Sequence, residues 1–237
     1  MTEVTFRDLS GMDELRQAEA LQREVWGAGD LPDPADLMLA IQAEGGLVGG
    51  AFLGGRLAGY VFGFPTREPQ VQHSHRLAVL PGTRGLGLGL RLKLYQRDWC
   101  LARGIGRVRW TFDPLRLVNA TLNIHRLGAE ADTYLPDYYG EMAGINRGLG
   151  SDRLLADWNL GAPRAALPGA PLPVPLPAAH PLPFVLPEDI GALAQGDPDR
   201  ACALRGELRG LLQAAFAGGE RIVGFDRDRR AYLVAPR

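Results

Sequence analysis

Three glycines on alternate positions, Gly85, Gly87 and Gly89, stand between the apolar run "HRLAVL" and a long helical pattern. Bare backbone at a strand–helix junction lets amide N–H groups approach a ligand closely. It also turns the positive end of a helix dipole on that ligand, an arrangement that suits phosphate. Two phosphate-binding spacings can be tested on these residues. A nucleotide P-loop needs GxxxxGK(S/T); Gly82 and Gly87 have that spacing, but Leu88 stands where lysine is required, and the match fails. A dinucleotide fingerprint needs GxGxxG; Gly85 and Gly87 begin it and Leu90 breaks it, although Asp113 lies near the distance of a ribose-binding acid. A dinucleotide is therefore one alternative ligand. Upstream, His73 and His75 alternate with intervening residues into Leu77 and Val79, which at period two puts all four on one strand face. Imidazole titrates near neutrality, so this pair could relay a proton.

The elements that would position these groups follow from periodicity. "TEVTFRDLS" alternates as a strand, and Ser10 with Asp13 reads as a capping box opening a helix along Leu15, Ala18, Leu21 and Val25. A second helix begins at Asp33-Pro34, with Asp33 as its N-cap, and stops at Gly45-Gly46. Two short apolar runs joined by Gly54-Gly55 form a hairpin, and "QVQHSHRLAVL" is a further strand. After the glycine loop and its helix come the strand "RVRWTFDP", the helix "LRLVNATLNIHRLGA" ending at Gly128, and strands near 129–135 and 151–160. From 161 to 183 prolines forbid helix and central strand and predict an extended linker. Beyond it, "FVLPEDI" reads as a strand, Asp197-Pro198 opens an amphipathic helix to Phe216, and "RIVGFDRDRRAYLVAP" reads as a hairpin. A unit that small cannot bury much core alone, so it is expected to dock on the main body or on a second subunit.

The stretch Val79–Gly89 reads V-x-P-x-x-R-x-x-G-x-G and resembles the coenzyme A signature of the GNAT superfamily of acyltransferases. The order of elements around it, over roughly residues 1–160, is similar to that family as well. The resemblance implies an α+β fold with a mixed, mostly antiparallel sheet flanked by helices, here followed by a linker at 161–183 and a small βαββ subdomain at 184–237. It implies acetyl-CoA or another acyl-CoA as co-substrate. Backbone amides of Arg84, Gly85, Leu86, Gly87, Leu88 and Gly89 would cradle the pyrophosphate. Leu77, Ala78 and Val79 would offer backbone groups to the pantetheine arm, with an amide near Val79 stabilising the oxyanion, and Asn119 and Asn123 would bond the arm or neighbouring backbone. His75, and after it His73, would act as base, with Glu68 an alternative. Family members place a proton-donating tyrosine in "Y-x-x-x-G-F"; here Ile124 and Ala129 take the Tyr and Phe positions, so His125, Tyr134, Tyr138 or Tyr139 would have to substitute. Arg67, Arg76 and Arg147 are candidates for an acceptor's carboxylate.

Bulk properties narrow the function classes. The 237 residues carry a net charge of −1, which gives no reason to expect nucleic acid or an anionic membrane as partner. No run approaches a membrane span, the first residues carry no signal-like pattern, and a cytoplasmic protein is expected. Cys100 and Cys202 read as buried free thiols, and no metal is expected. Lys93 is the only lysine, so any lysine chemistry must use it. The function expected is N-acylation of a small-molecule amine such as an amino acid by direct attack on the thioester, with a second copy of the chain as a candidate homodimer partner. A protein N-terminus or lysine is the rival acceptor; a non-catalytic acyl-CoA sensor and a dinucleotide oxidoreductase are the rival functions.

Overall fold

The computed structural model describes residues 3–27, 29–83, 85–140, 150–162 and 179–237. Arg84, Arg147 and most of the proline-rich segment lie outside the described residues. The chain divides into two compact units, Met1–Arg109 with Asn159–Gly161, and Trp110–Trp158 with Ala162–Arg237.

In the first unit the order along the sheet is β1 (Val4–Asp8), β2 (Leu47–Leu53), β3 (Arg56–Pro65), β4 (Val71–Val79) and the start of β5 (Arg107–Phe112). The first four run antiparallel to their neighbours, and β4 pairs β5 in parallel. α1 (Gly11–Trp26) buries Leu15, Ala18, Leu21 and Gln22, one stripe at helical spacing. Together with Met38 of α2 (Ala35–Ala43) this stripe closes a core on Val48, Phe52, Tyr60, Phe62 and Ala78 of the sheet. α3 (Leu88–Leu101) lies against β2, β3 and β4 on side chains of opposite parity. It comes so close that a Cβ at Gly49 would stand 2.8 Å from the Tyr95 ring. At the start of α1 the capping partner is Glu14 rather than Asp13: Glu14 accepts from the Ser10 amide and pairs with both terminal nitrogens of Arg7, which holds its carboxyl down at about 2. One turn from Ser10 is within reach, and the Arg7 fork selects the carboxylate that faces it.

In the second unit the end of β5 continues to β7 (Arg153–Asn159) and β6 (Tyr134–Leu135), with Trp110 and Trp158 packed edge to face. α4 (Leu117–Asn119) runs on into a π-helical segment, Ala120–Arg126, marked by the Leu127 amide bonding to the Leu122 carbonyl. Both C-terminal helices start as capped helices should: α5 (Ile190–Gly196) on Asp189, and α6 (Pro198–Ala217) on Asp197, whose carboxylate accepts from the Arg200 amide. A three-stranded sheet runs in the order β8 (His180–Pro181), β10 (Ala231–Pro236), β9 (Glu220–Asp226). "FVLPEDI" is not a strand; the short strand falls before it, because Pro183 and Pro187 break the backbone donor pattern around Phe184.

The C-terminal elements dock within this unit, as their size demands. Ala131 and Ile222 exchange backbone bonds, and the buried Tyr232 hydroxyl donates to the Pro114 carbonyl. Arg205 of α6 makes a bidentate, buried pair with Asp113. Removing one partner of such a pair strands the other charge, so Arg205→Met is expected to lower the unfolding free energy by about 3 kcal/mol. Urea denaturation reads this, and a loss below about 0.5 kcal/mol would show that other arginines satisfy Asp113. Cys100 is buried, whereas Cys202 is exposed on α6. No helix among the described residues is long and apolar enough to cross a membrane.

Candidate active site

The site grows from an interruption in the first unit's sheet. β4 pairs with β5 over Val71–His73, and among the described residues of the first unit no strand pairs with the outer side of Ser74–Val79. The β3–β4 register also slips between Phe62/Arg76 and Gly63/Ser74, which leaves His75 as the extra residue of a bulge. The bulge changes parity. His73 and His75 share a face with Phe62 and Phe64, whereas Leu77 points to the α3 side, its Cδ2 3.9 Å from a Cβ position at Gly89. The expected common face of His73, His75, Leu77 and Val79 is therefore broken after His75, which period-two counting could not see. Backbone direction follows from the Leu80 amide, which donates to the Ala58 carbonyl of β3. By alternation Ala78 also faces β3, while the backbone groups of Leu77 and Val79 point to the open edge.

At the end of β4 a single 3₁₀ turn, Pro81–Thr83, is closed by the Thr83 amide and hydroxyl on the Leu80 carbonyl. Gly85 and Gly87 then take positive φ of 91° and 65°, a conformation that favours glycine. The Leu86 amide makes a long bond to the Thr83 carbonyl, and Arg91 is the first residue of α3 to bond back, to Gly87. Among the described residues the amides of Gly85, Gly87, Leu88, Gly89 and Leu90 have no acceptor. A Cβ at Gly82 or Gly85 would meet nothing within 4 Å. Amides without an acceptor among the described residues, open space above Gly82 and Gly85 and the positive end of a 14-residue helix fit a diphosphate.

Beside the open edge stands a polar cluster. His75 Nε2 lies 3.2 Å from Asp33 Oδ1. Arg76 donates to Asp30 Oδ2 at 2.6 Å and to the Leu31 carbonyl at 3.0 Å, reaches Asp33 with Nε, and stacks over Trp26. Arg76 is thus fully committed to the loop between α1 and α2, not open to a substrate carboxylate. His73 stacks on Phe64, and burial, with His75, Lys93 and Arg109 adding to it, pushes its imidazole down to about 4. It is neutral at pH 7 and a poor proton acceptor beside His75. Glu68 is held by Arg109 at 2.6 Å.

Behind β4, on its α3 side, runs a buried chain. Lys93 donates to Ser74 Oγ and Gln96 Oε1, Gln96 Nε2 donates to Gln72, and the Cys100 thiol points at the same Gln72 oxygen. Burial drives Lys93 down to about 7 and the Cys100 thiol up to about 12, so Cys100 is inert as a nucleophile. The sign of the lysine effect on stability is definite. Between about pH 7 and the ordinary 10.5 the unfolded chain binds more protons, so stability rises with pH, by about 1.4 kcal/mol per unit at the steepest. Lys93→Met is expected to abolish that rise, read by urea denaturation at pH 7 and 9.5.

The remaining candidates lie in the second unit. Asn123 is buried and Asn119 half-buried, on the α4–π segment. Tyr138 and Tyr139 are about half exposed and pack edge to face, with the Tyr139 hydroxyl bonded to Thr111. Tyr134 donates to Asp152 and is pushed up by burial, and His125 is engaged by the Phe225 carbonyl and pushed down by burial. The sequence offers Arg76 and the Trp26–Asp36 loop as parts of an acceptor pocket, but not the pairing of Arg76 with Asp30 and Asp33, because aspartate before Pro34 reads as a helix cap.

Comparison with solved structures gives the same fold. The ribosomal-protein-S18-alanine N-acetyltransferase of Escherichia coli superimposes with a TM-score of 0.57 at 16% identity, over 72% of this chain and 100% of that one. A GNAT-family acetyltransferase of Streptococcus pneumoniae gives 0.55 at 18%, over 67% and 100%. The yncA protein of Salmonella typhimurium, solved with its cofactor acetyl-CoA, gives 0.52 at 18%, over 69% and 99%. No curated protein matches the sequence. Residues 12–128, which hold nearly all of α1 through the π-helical segment and so the whole glycine loop, match the acetyltransferase (GNAT) family model, and this domain belongs to that family of acetyl-CoA-dependent acyltransferases.

Proposed function

We propose that this acyltransferase acetylates the amine of a small molecule, with the coenzyme A diphosphate on the amides of Gly85–Leu90, the pantetheine arm on the outward backbone groups of Leu77 and Val79, and His75 as base. The observation that carries this reading is the coincidence, on one strand, of an unpaired edge, an amide-lined turn at its end and an imidazole on its bulge. Acetyl-CoA, when bound, supplies an activated acyl carbon with a thiol leaving group. The chain's residues do the rest. His75 takes a proton from the acceptor's nitrogen as the carbon–nitrogen bond forms and the carbon–sulfur bond breaks, and the sulfur is protonated from solvent. An outward amide near Val79 is the donor for the carbonyl oxygen. His73, held neutral against Phe64, adds an apolar wall rather than a second base.

Two features favour a small acceptor. Arg76 fastens the Asp30–Asp33 loop onto β4 beside His75, which covers one side of the imidazole. The two carboxylates outnumber the one guanidinium, so the approach attracts an ammonium. Free-thiol release with acetyl-, succinyl- and longer acyl-CoAs, assayed against amino acids, other small amines and short peptides, tests the reading. Turnover of acetyl-CoA with small amines is expected. Turnover confined to peptides would move the acceptor to a protein N-terminus or lysine, and binding without turnover across the panel would identify a sensor.

A further inference from the structure

Asp33 has the residue type and the place of a helix cap, directly before Pro34, yet it does not cap. α2 starts at Ala35 with Pro34 as its boundary and no side-chain cap bond. The Asp33 carboxylate turns to β4 instead, with Oδ1 3.2 Å from His75 Nε2 and Oδ2 3.2 Å from Arg76 Nε. Its backbone is gripped on both sides by the buried Gln22: the Asp33 amide donates to Gln22 Oε1 at 2.8 Å, and Gln22 Nε2 donates to the Asp33 carbonyl at 3.3 Å. Two residues on, the Ala35 amide donates to Glu19 Oε2. A side chain 12% exposed, on backbone clamped by one helix and beside an arginine that is itself clamped, is a fixed object against which the imidazole ring is set.

A carboxylate can only accept, so the hydrogen of a neutral His75 stands on Nε2 and the lone pair on Nδ1. We propose that Asp33 is the positioning residue of His75: it holds the ring in the Nε2–H tautomer, so that Nδ1 receives the acceptor's proton, and its charge stabilises the imidazolium that results. The inference rests on the reading of His75 as base. The charges around the ring agree with it. From the α1–α2 loop come Asp30 and Asp33, and from β4 come Arg76 and His73. From β3 come the rings of Phe62 and Phe64 and the buried Tyr60 hydroxyl, while Lys93 of α3 lies on the far side of the strand. Two carboxylates against one guanidinium leave one negative charge beside the ring.

The test combines a spectroscopic and a kinetic reading. In ¹⁵N-labelled protein above pH 8, long-range ¹H–¹⁵N correlation is expected to show His75 with a protonated Nε2 and a bare Nδ1. Asp33→Asn keeps an accepting oxygen without the charge and is expected to keep the tautomer while kcat falls about 10-fold. Asp33→Ala is expected to mix the tautomers and lower kcat about 100-fold, with Asp33→Glu recovering part of the loss. Acetyl-CoA affinity and melting temperature, expected unchanged in Asp33→Asn, show that the fold survives. A bare Nε2 in the unaltered protein, or a kcat within twofold of normal in Asp33→Ala, would overturn the positioning role. If the unaltered protein shows the Nε2–H tautomer but acetylates no amine, His75 is not the base; that overturns the functional reading, and with it the role of Asp33, while the contact stands.

Discussion

Replacing His75 by Gln is expected to lower kcat about 10²- to 10³-fold while acetyl-CoA affinity stays within about twofold, the range for loss of a positioned general base. Gln is the sharp choice because its amide nitrogen can still donate to Asp33 Oδ1, so the loop contact at 3.2 Å has a substitute and only the proton-accepting atom is lost. His73 is a poor replacement: burial, with Lys93 and Arg109 adding to it, still holds its imidazole below the usual range once His75 is gone. Glu68 is occupied by Arg109. The variant should therefore be slow at every pH and lose the limb of the pH–rate profile that an imidazole gives. A variant with the normal rate and the normal profile would remove His75 from the chemistry.

The sequence carries the cofactor side of this protein more openly than the acceptor side, for a physical reason. A diphosphate cradle is a backbone device, and backbone devices leave local marks: Gly85 and Gly87 at positive φ, a proline before them, a helix directly after. Those marks lie within eleven consecutive residues and can be read by spacing alone. The proposed acceptor side draws on α1, the α1–α2 loop and β4, with Asp30 and Arg76 46 positions apart and Asp33 and His75 42 apart. Nothing in the local pattern says that Asp33 will abandon the cap of α2 for a histidine on a strand. The bulge at His75 is equally silent, since one extra residue in a register leaves the alternation of apolar types nearly intact while reversing the faces beyond it. Lys93 is a further case. The structure buries it to 2% exposure because Ser74 and Gln96 supply acceptors that no helix pattern reveals.

Replacing Gly89 by Val is expected to weaken acetyl-CoA binding about 100-fold, the loss of one or two hydrogen bonds to a charged group at about 1.5–3 kcal/mol each, with no loss of stability. Gly89 gives a cleaner answer than its neighbours. Gly87 has a φ of 65° and Gly85 of 91°, so any side chain there strains the loop itself, and a fall in affinity would confound strain with blockage. Gly89 lies inside the first turn of α3 at ordinary helical φ, and a Cβ there meets only Leu77 Cδ2 at 3.9 Å, an ordinary van der Waals contact. The folded chain therefore has room for a Cβ here, and glycine is itself a poor helix former, so melting temperature should hold or rise slightly. Only a ligand lying on the amides of Leu88, Gly89 and Leu90 would object to the branched side chain. Calorimetry with acetyl-CoA and thermal denaturation of the same sample separate the two effects. Unchanged affinity at unchanged melting temperature would mean that the diphosphate does not rest on this turn, and the assignment of Gly85–Leu90 as its cradle would fall.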